Sequence, residues 1–318
     1  MSKRSWILVA TFVASAALIP TAFSTDDVEA KPPCNPGHPC PTPTPSPTPS
    51  PSGDPVITAA GDIADPDPKP ATVATAKLIS SINPRVALTL GDNQYETGLL
   101  RDFLTGYDPT WGAFLSKTRP AIGNHEYKSS STAAGYFDYF GSRSPNNYYS
   151  FNVGAWHLIS LDSNCEKAGG CAPGSRQYEW LQADLASSSA SCTLAYWHHP
   201  RWSSGSHHGN SSQVAPFTTL LYNEGADVIL SGHELNYERY APQTPGGSLD
   251  RTNGIVQFVV GTGGHSLYPF GSADTNSLKR NSSSYGVLRM TLHATSYDFS
   301  FRPVLGGNFT DSGSASCH

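Results

Sequence analysis

Five short apolar runs in this chain each stop at a side chain that can bind a metal ion. They read "VITAAGD" (56–62), "VALTLGD" (86–92), "PAIGNHE" (120–126), "TLAYWHH" (193–199) and "DVILSGH" (227–233). Asp62, Asp92, Asn124, His198 and His233 therefore fall at or just beyond the ends of strand-like segments. Carboxylate oxygens suit hard cations, whereas imidazole and amide groups suit borderline divalent ones. A glycine before most of these side chains lets the backbone turn sharply at that point. One Asp or His beginning a loop is ordinary, but five such endings in order are a strong signal.

The elements that must carry these residues follow from hydrophobic periodicity. A sixth run, "IVQFVVGTGG" (255–264), joins the five, and helical patterns occur at roughly 71–82, 109–117, 175–188 and 213–224. Tyr178, Leu181 and Leu185 share one helix face, and Phe217, Leu220 and Leu221 another, with Gly225 placed as a C-cap. Residues 147–162 and 284–304 read as antiparallel hairpins. Strands alternating with helices give an α/β fold with a sizeable second sheet, and ligands in such folds gather at the carboxyl ends of the strands.

Taken together, "GDIAD", "GDNQYE", "GNHE", "HHP" and "GHELNYER" resemble, in order, the motif blocks of the calcineurin-like metallophosphoesterases. Tyr95 and the "YER" ending point to the purple acid phosphatase-like branch. The resemblance spans roughly residues 54–305 and implies a four-layer sandwich of two mixed β-sheets flanked by helices. It implies that Asp62, Asp92 and Tyr95 hold one metal, typically ferric iron. Asp92 would bridge to a second metal, zinc, manganese or iron, held by Asn124, His198 and His233. A metal-bound hydroxide would then attack a phosphate ester. His125 would stabilise or protonate the leaving oxygen, and His207 and His208 in "SSGSHHGN" would bind phosphate. A solvated pair of loop histidines is the plain reading of that last segment. His199 reads as a support for His198, His157 as structural, and Glu238 with Arg239 as an ion pair under the site.

The chain departs from the family at Leu235, where this branch usually has a histidine that completes the Tyr95 site. Leucine offers no lone pair, so that set is short of a ligand, and Glu234 and His265 are the neighbours that could replace it. The expected function is hydrolysis of phosphomonoesters, with diesters as a second substrate class. The alternative is a weakly active or non-catalytic binder of phosphate or phosphorylated polymer with one metal site degraded by Leu235.

Composition sets the surroundings. The 318 residues carry 20 Lys plus Arg against 25 Asp plus Glu, a formal charge of -5, which gives no support to a nucleic-acid partner. Residues 1–30 read as a secretory signal: Lys3 and Arg4 precede an apolar stretch from Trp6 to Ile19, with cleavage expected after Ser24 or Ala30. An uncleaved anchor is the competing reading. Residues 31–53 hold a Cys34–Cys40 loop and "PTPTPSPTPSPS", an extended spacer, so the folded domain is 54–318 and the protein is expected outside the cell or at its surface. Six cysteines allow 15 pairings. Spacing favours Cys34 with Cys40 and Cys165 with Cys171, leaving Cys192 for Cys317.

Overall fold

The structure is a computed structural model and describes residues 53–318. The signal, the Cys34–Cys40 loop and the Pro/Ser/Thr repeat lie outside the described residues. One sheet contains β1 (Val56–Ala60), β2 (Val86–Leu90), β3 (Thr118–Ala121), β11 (Gly286–Leu292), β12 (Ser296–Pro303) and β13 (Asp311–Ser316). The other contains β4 (Tyr149–Val153), β5 (Trp156–Ser160), β6 (Cys192–Tyr196), β7 (Val228–Ser231), β8 (Tyr237–Tyr240), β9 (Val256–Val260) and β10 (Ser277–Asn281). Their orders are β13-β12-β11-β1-β2-β3 and β10-β8-β9-β7-β6-β5-β4. The strands β1, β2 and β3 run parallel, as do β5, β6, β7 and β9, so each sheet presents neighbouring carboxyl ends on one side.

The central strands are buried along nearly their whole length, as a sheet covered on both faces requires, and successive side chains alternate between the two faces. Leu194, Tyr196, Val228 and Leu230 join the core shared with the first sheet's Ile57, Ala59, Leu88 and Met290. The intervening Ala195, Trp197 and Ile229 point the other way, onto Leu181 and Leu185 of α4 (Arg176–Ser187) and Phe217, Leu220 and Leu221 of α5 (Ala215–Asn223). The first sheet is covered by α1 (Pro70–Ile82), which packs on β11. Two short helices, α2 (Leu100–Asp102) and α3 (Ala134–Phe140), pack together in the β2–β4 region. This is the two-sheet sandwich flanked by helices that the motifs implied.

Local signals account for the helix boundaries. Pro70 opens α1, where a missing N–H costs nothing, and Asn83 ends it at φ 52°, in the left-handed region asparagine tolerates. The Ser175 hydroxyl accepts the Tyr178 N–H at the start of α4. Gly225, at φ 74°, closes α5 as expected. The helix expected at 109–117 is instead a tight 3-10 segment, Trp111–Lys117, broken at Phe114 by φ -124° and ψ 26°. Burial of Trp111 and Phe114 outweighs regular helical geometry there. Cys165 pairs with Cys171, and Cys192 with Cys317. The second bridge ties the segment after β13 to the start of β6, and so one sheet to the other. Its 125-residue separation makes loop closure worth about 4–5 kcal/mol in the chain-entropy picture.

Candidate metal centre

Asp62, Asp92 and Asn124 follow β1, β2 and β3, while His198 and His233 follow β6 and β7, so the two sheets deliver these residues from opposite sides. Backbone strain marks the place. Asp62, Asp92 and His233 have φ of 60°, 47° and 69°, and they are three of the five non-glycine residues with positive φ among those described. Each left-handed residue costs about 1–2 kcal/mol, so the fold holds these side chains against local preference. Two glycines are required by contact. A Cβ on Gly91 would lie 2.6 Å from the His198 ring, and one on Gly123 would lie 2.1 Å from the Asp92 nitrogen.

His198 is the hub of the nitrogen-rich side. It is fully buried, and its Nδ1 donates to the Leu90 carbonyl at 2.8 Å, which leaves the Nε2 lone pair free. That Nε2 lies 3.0 Å from Asn124 Oδ1, 3.1 Å from His233 Nδ1 and 3.2 Å from Asp92 Oδ2. Three further polar atoms thus lie within 3.2 Å of His198 Nε2, the closeness that ligands of one metal ion show.

On the oxygen-rich side, the buried Tyr95 hydroxyl faces Asp62 Oδ1 at 2.8 Å and Asp92 Oδ2 at 3.0 Å. Asp92 Oδ2 therefore belongs to both clusters, as a bridging oxygen must. The residues fit a pair of ions, with oxygen donors on one side and mixed nitrogen and oxygen donors on the other.

The electrostatics have the same sense. Burial, then the Asp92 charge, raises the Asp62 carboxyl to about 7. Burial opposes ionisation of Asp92 too, but His198, His125 and His233 around it hold its carboxyl low. Burial would lower His198, yet Asp92 and Asp62 raise it to about 9, so a positive charge is drawn to the middle of the cluster. Burial, followed by His198, keeps His233 and His199 low, at about 3 for His199, and so in the neutral form.

Around this centre the other candidates fall as follows. The His125 N–H donates to Asp92 Oδ1 at 2.9 Å, and its ring lies beside Tyr95, with Nε2 3.8 Å from Asp92 Oδ2 and 2.9 Å from Lys128 Nζ. His208 stacks on His233 with ring centroids 4.0 Å apart, and His207 stacks on Tyr268 at the same separation. Both loop histidines are exposed, at the mouth of the centre. His157 is structural as expected, held by Asn152 and Asp184.

Two expectations are corrected. Arg239 does not pair with Glu238. It grips Asp311 through two bonds of 2.6 and 3.0 Å, because successive side chains of β8 point to opposite faces. Glu238 instead accepts from Ser204 and Ser277. His199 does not support His198 by hydrogen bonding. Its Nδ1 meets Ser163 Oγ at 2.8 Å, and its ring packs 4.3 Å from that of His233.

Leu235 is 3 % exposed and belongs to neither of the two large apolar clusters. Neither proposed substitute takes its place. The Glu234 carboxylate binds the backbone of the His207–His208 loop. His265 stacks on the Tyr95 ring and turns its Nδ1 to Asp65, where the Lys69 ammonium also sits.

Glu126, which closes the "GNHE" motif, has a role that its sequence position does not announce. This fully buried carboxylate accepts the N–H groups of Asp92, Asn93, Gln94 and Gly123 at 2.7–3.1 Å and so fixes the two turns that carry the candidate ligands Asp92 and Asn124. An acid beside Asn-His is visible in the sequence, but the turn it binds, 32–34 residues earlier, is not. A cleft of about 880 Å³ lies elsewhere, among Val56, Val86, Lys117 and Arg119 at the amino ends of β1, β2 and β3.

A two-sheet sandwich with paired metal donors at its carboxyl edge defines the metallophosphoesterase class of architecture. The chain belongs to the calcineurin-like phosphoesterase family, whose model matches residues 49–237. Among its relatives is purple acid phosphatase 15 of Arabidopsis thaliana, 32% identical over 176 residues, covering 49% of this chain and 32% of the relative. Purple acid phosphatase 22 of the same plant is 30% identical over 224 residues, covering 61% and 47%. The chain thus spans less than half the length of these relatives. In fold it resembles the yellow lupin purple acid phosphatase PPD1, with a TM-score of 0.70 at 19% identity over 83% of this chain and 54% of that one. It also resembles GAP50, the anchor in the inner membrane complex of Plasmodium, with a TM-score of 0.65 at 14% identity over 84% and 90%.

Proposed function

We propose that this protein is an exported, metal-dependent phosphoesterase acting on phosphomonoesters. The observation that carries the reading is the convergence of Asp92, Asn124 and His233 on the free Nε2 of His198, beside the Asp62–Tyr95 oxygens. Bound there, metal ions would supply Lewis acidity and a lowered pKa for water. The chain's own side chains supply the rest. Asp92 orients the turn before His125 by accepting its backbone N–H. His125, beside the Lys128 ammonium, faces the position of a leaving oxygen and can hold or release a proton there. His207 and His208 stand at the mouth, where imidazole N–H groups can bind phosphoryl oxygens. The two disulfides suit an oxidising compartment, in keeping with the signal-like N-terminus. Purified protein supplied in turn with iron, manganese, zinc and calcium is expected to hydrolyse p-nitrophenyl phosphate faster than its bis-ester. No turnover with any of these metals would sink the reading.

Leu235 favours a second reading, a phosphate binder with little or no turnover, and it also decides the metal count. With three oxygen donors and no imidazole, the Asp62–Tyr95 side is the weaker one. Loss of even a supporting contact costs about 10–100-fold in metal affinity, and loss of a direct ligand costs at least as much. Dialysed wild-type protein is therefore expected to retain about one ion per chain, and Leu235→His about two, measured by elemental analysis. Two ions in the wild type would show that the missing imidazole is not limiting. A large gain of turnover in Leu235→His from an inactive wild type would establish the binder reading.

A further inference from the structure

The segment 203–209, which carries His207 and His208, reads in the sequence as Gly- and Ser-rich and free to move. The structure shows it clamped by two buried glutamates of the "GHELNYER" motif. Glu238 accepts the Ser204 N–H at 2.7 Å and its hydroxyl at 2.5 Å. Glu234, with no exposed surface, turns Oε1 to the N–H groups of His207 (3.0 Å), His208 (3.0 Å) and Gly209 (3.4 Å). The Glu234 side chain lies against Gly205 so closely that a Cβ there would fall 1.9 Å from Oε1. On the far side, Ser206 donates to the Pro269 carbonyl and Gly271 donates to that of Ser204, while Tyr268 stacks beneath His207. The three N–H groups that could have cradled a phosphate are thereby committed to a carboxylate of the protein itself. Only the two imidazole rings remain to meet a ligand, and Glu234 sets where they stand.

We propose that Glu234 is a positioning residue that fixes His207 and His208 over the metal centre and so sets affinity for the phosphoryl group without holding metal itself. This rests on the phosphoesterase reading above. The acceptor oxygen, rather than the charge, is the working part, since three donors share Oε1 and Oε2 has no partner among the described residues. Glutamine keeps such an oxygen and leucine does not.

The test compares wild type, Glu234→Leu and Glu234→Gln, with Gly205→Ala as an independent way to displace the carboxylate. Misplacing a binding group by about 1 Å costs up to about a hundredfold. In Glu234→Leu and Gly205→Ala, KM for p-nitrophenyl phosphate and Kd for inorganic phosphate are expected to rise about ten- to a hundredfold. In both variants kcat stays within about threefold and metal content is unchanged, while Glu234→Gln stays near wild type throughout. Hydrogen exchange at the 207–209 amides is expected to quicken in the first two variants only, and this readout stands whether or not the protein turns over substrate. A wild type that neither hydrolyses the ester nor binds phosphate defeats the phosphoesterase reading and this proposal with it, even where exchange confirms the clamp. Unchanged exchange in Glu234→Leu, metal lost together with kcat, or a glutamine variant as impaired as leucine would each overturn the positioning role alone.

Discussion

Asp92→Asn is expected to lose its bound metal and at least about a thousandfold in kcat/KM, or ~4 kcal/mol of transition-state stabilisation. Asparagine is the informative replacement because little else should change. Position 92 has φ 47°, which asparagine tolerates better than most residues, and its remaining oxygen can still accept the His125 N–H as Oδ1 does now. What disappears is the negative oxygen that faces both the Tyr95 hydroxyl and His198 Nε2. Asp62, the other carboxylate at the site, turns Oδ1 to the Tyr95 hydroxyl and Oδ2 to the His233 backbone N–H, and so is already engaged. Thermal unfolding should stay near that of metal-free wild type, which separates loss of metal from loss of fold. Metal content equal to that of the wild type, or activity within about tenfold of it, would show that Asp92 does not bridge.

The parts of this site legible in the sequence are those set by chain-local rules. An apolar run ending in Gly-Asp or Gly-His reports a strand and the side chain beyond it, and all five endings do meet at one edge of the sandwich. Close spacing favours the Cys165–Cys171 bridge for a similar reason, and Cys192–Cys317 follows only as the pair left over. The supporting shell was not legible because it is made of long-range bonds to backbone. Glu126 binds a turn some thirty residues upstream, Glu234 binds a loop 25–27 residues upstream, and Arg239 finds Asp311 across 72 residues. Nothing in the local pattern of either partner marks the pairing. The strands β8, β10 and β13 were missed for a related reason. "YERY", "SLKRN" and "DSGSAS" are short and largely polar, and two of them lie at sheet edges, where alternation is weak. The "HH" loop looked unrestrained because serine and glycine are turn residues. Its order comes from buried acids that its own sequence does not contain.

Glu126→Gln is expected to destabilise the fold by about 3–5 kcal/mol and to release metal, although residue 126 touches none of the proposed ligand atoms with its own donors. Its Oε1 accepts from Asn93 and Gln94, and its Oε2 from Asp92 and Gly123. Every neighbour is a backbone donor, so whichever oxygen becomes an amide nitrogen, two N–H groups will face an NH2. Each buried group left unsatisfied costs about 1–3 kcal/mol, and the site is fully desolvated, so water offers no relief. The same four bonds set the turns that carry Asp92 and Asn124, so the damage passes directly to the metal centre. For a domain of this size, 1 kcal/mol corresponds to roughly 2–4 °C, and the midpoint should fall by roughly 10 °C. The comparison belongs in chelator, on metal-free protein, so that lost metal binding does not add to the difference. A midpoint unchanged within 2 °C, by the roughly 2–4 °C per kcal/mol above, would mean the four bonds contribute no net stability. A fallen midpoint with full metal content would mean that Glu126 holds the fold but does not hold the ligand turns.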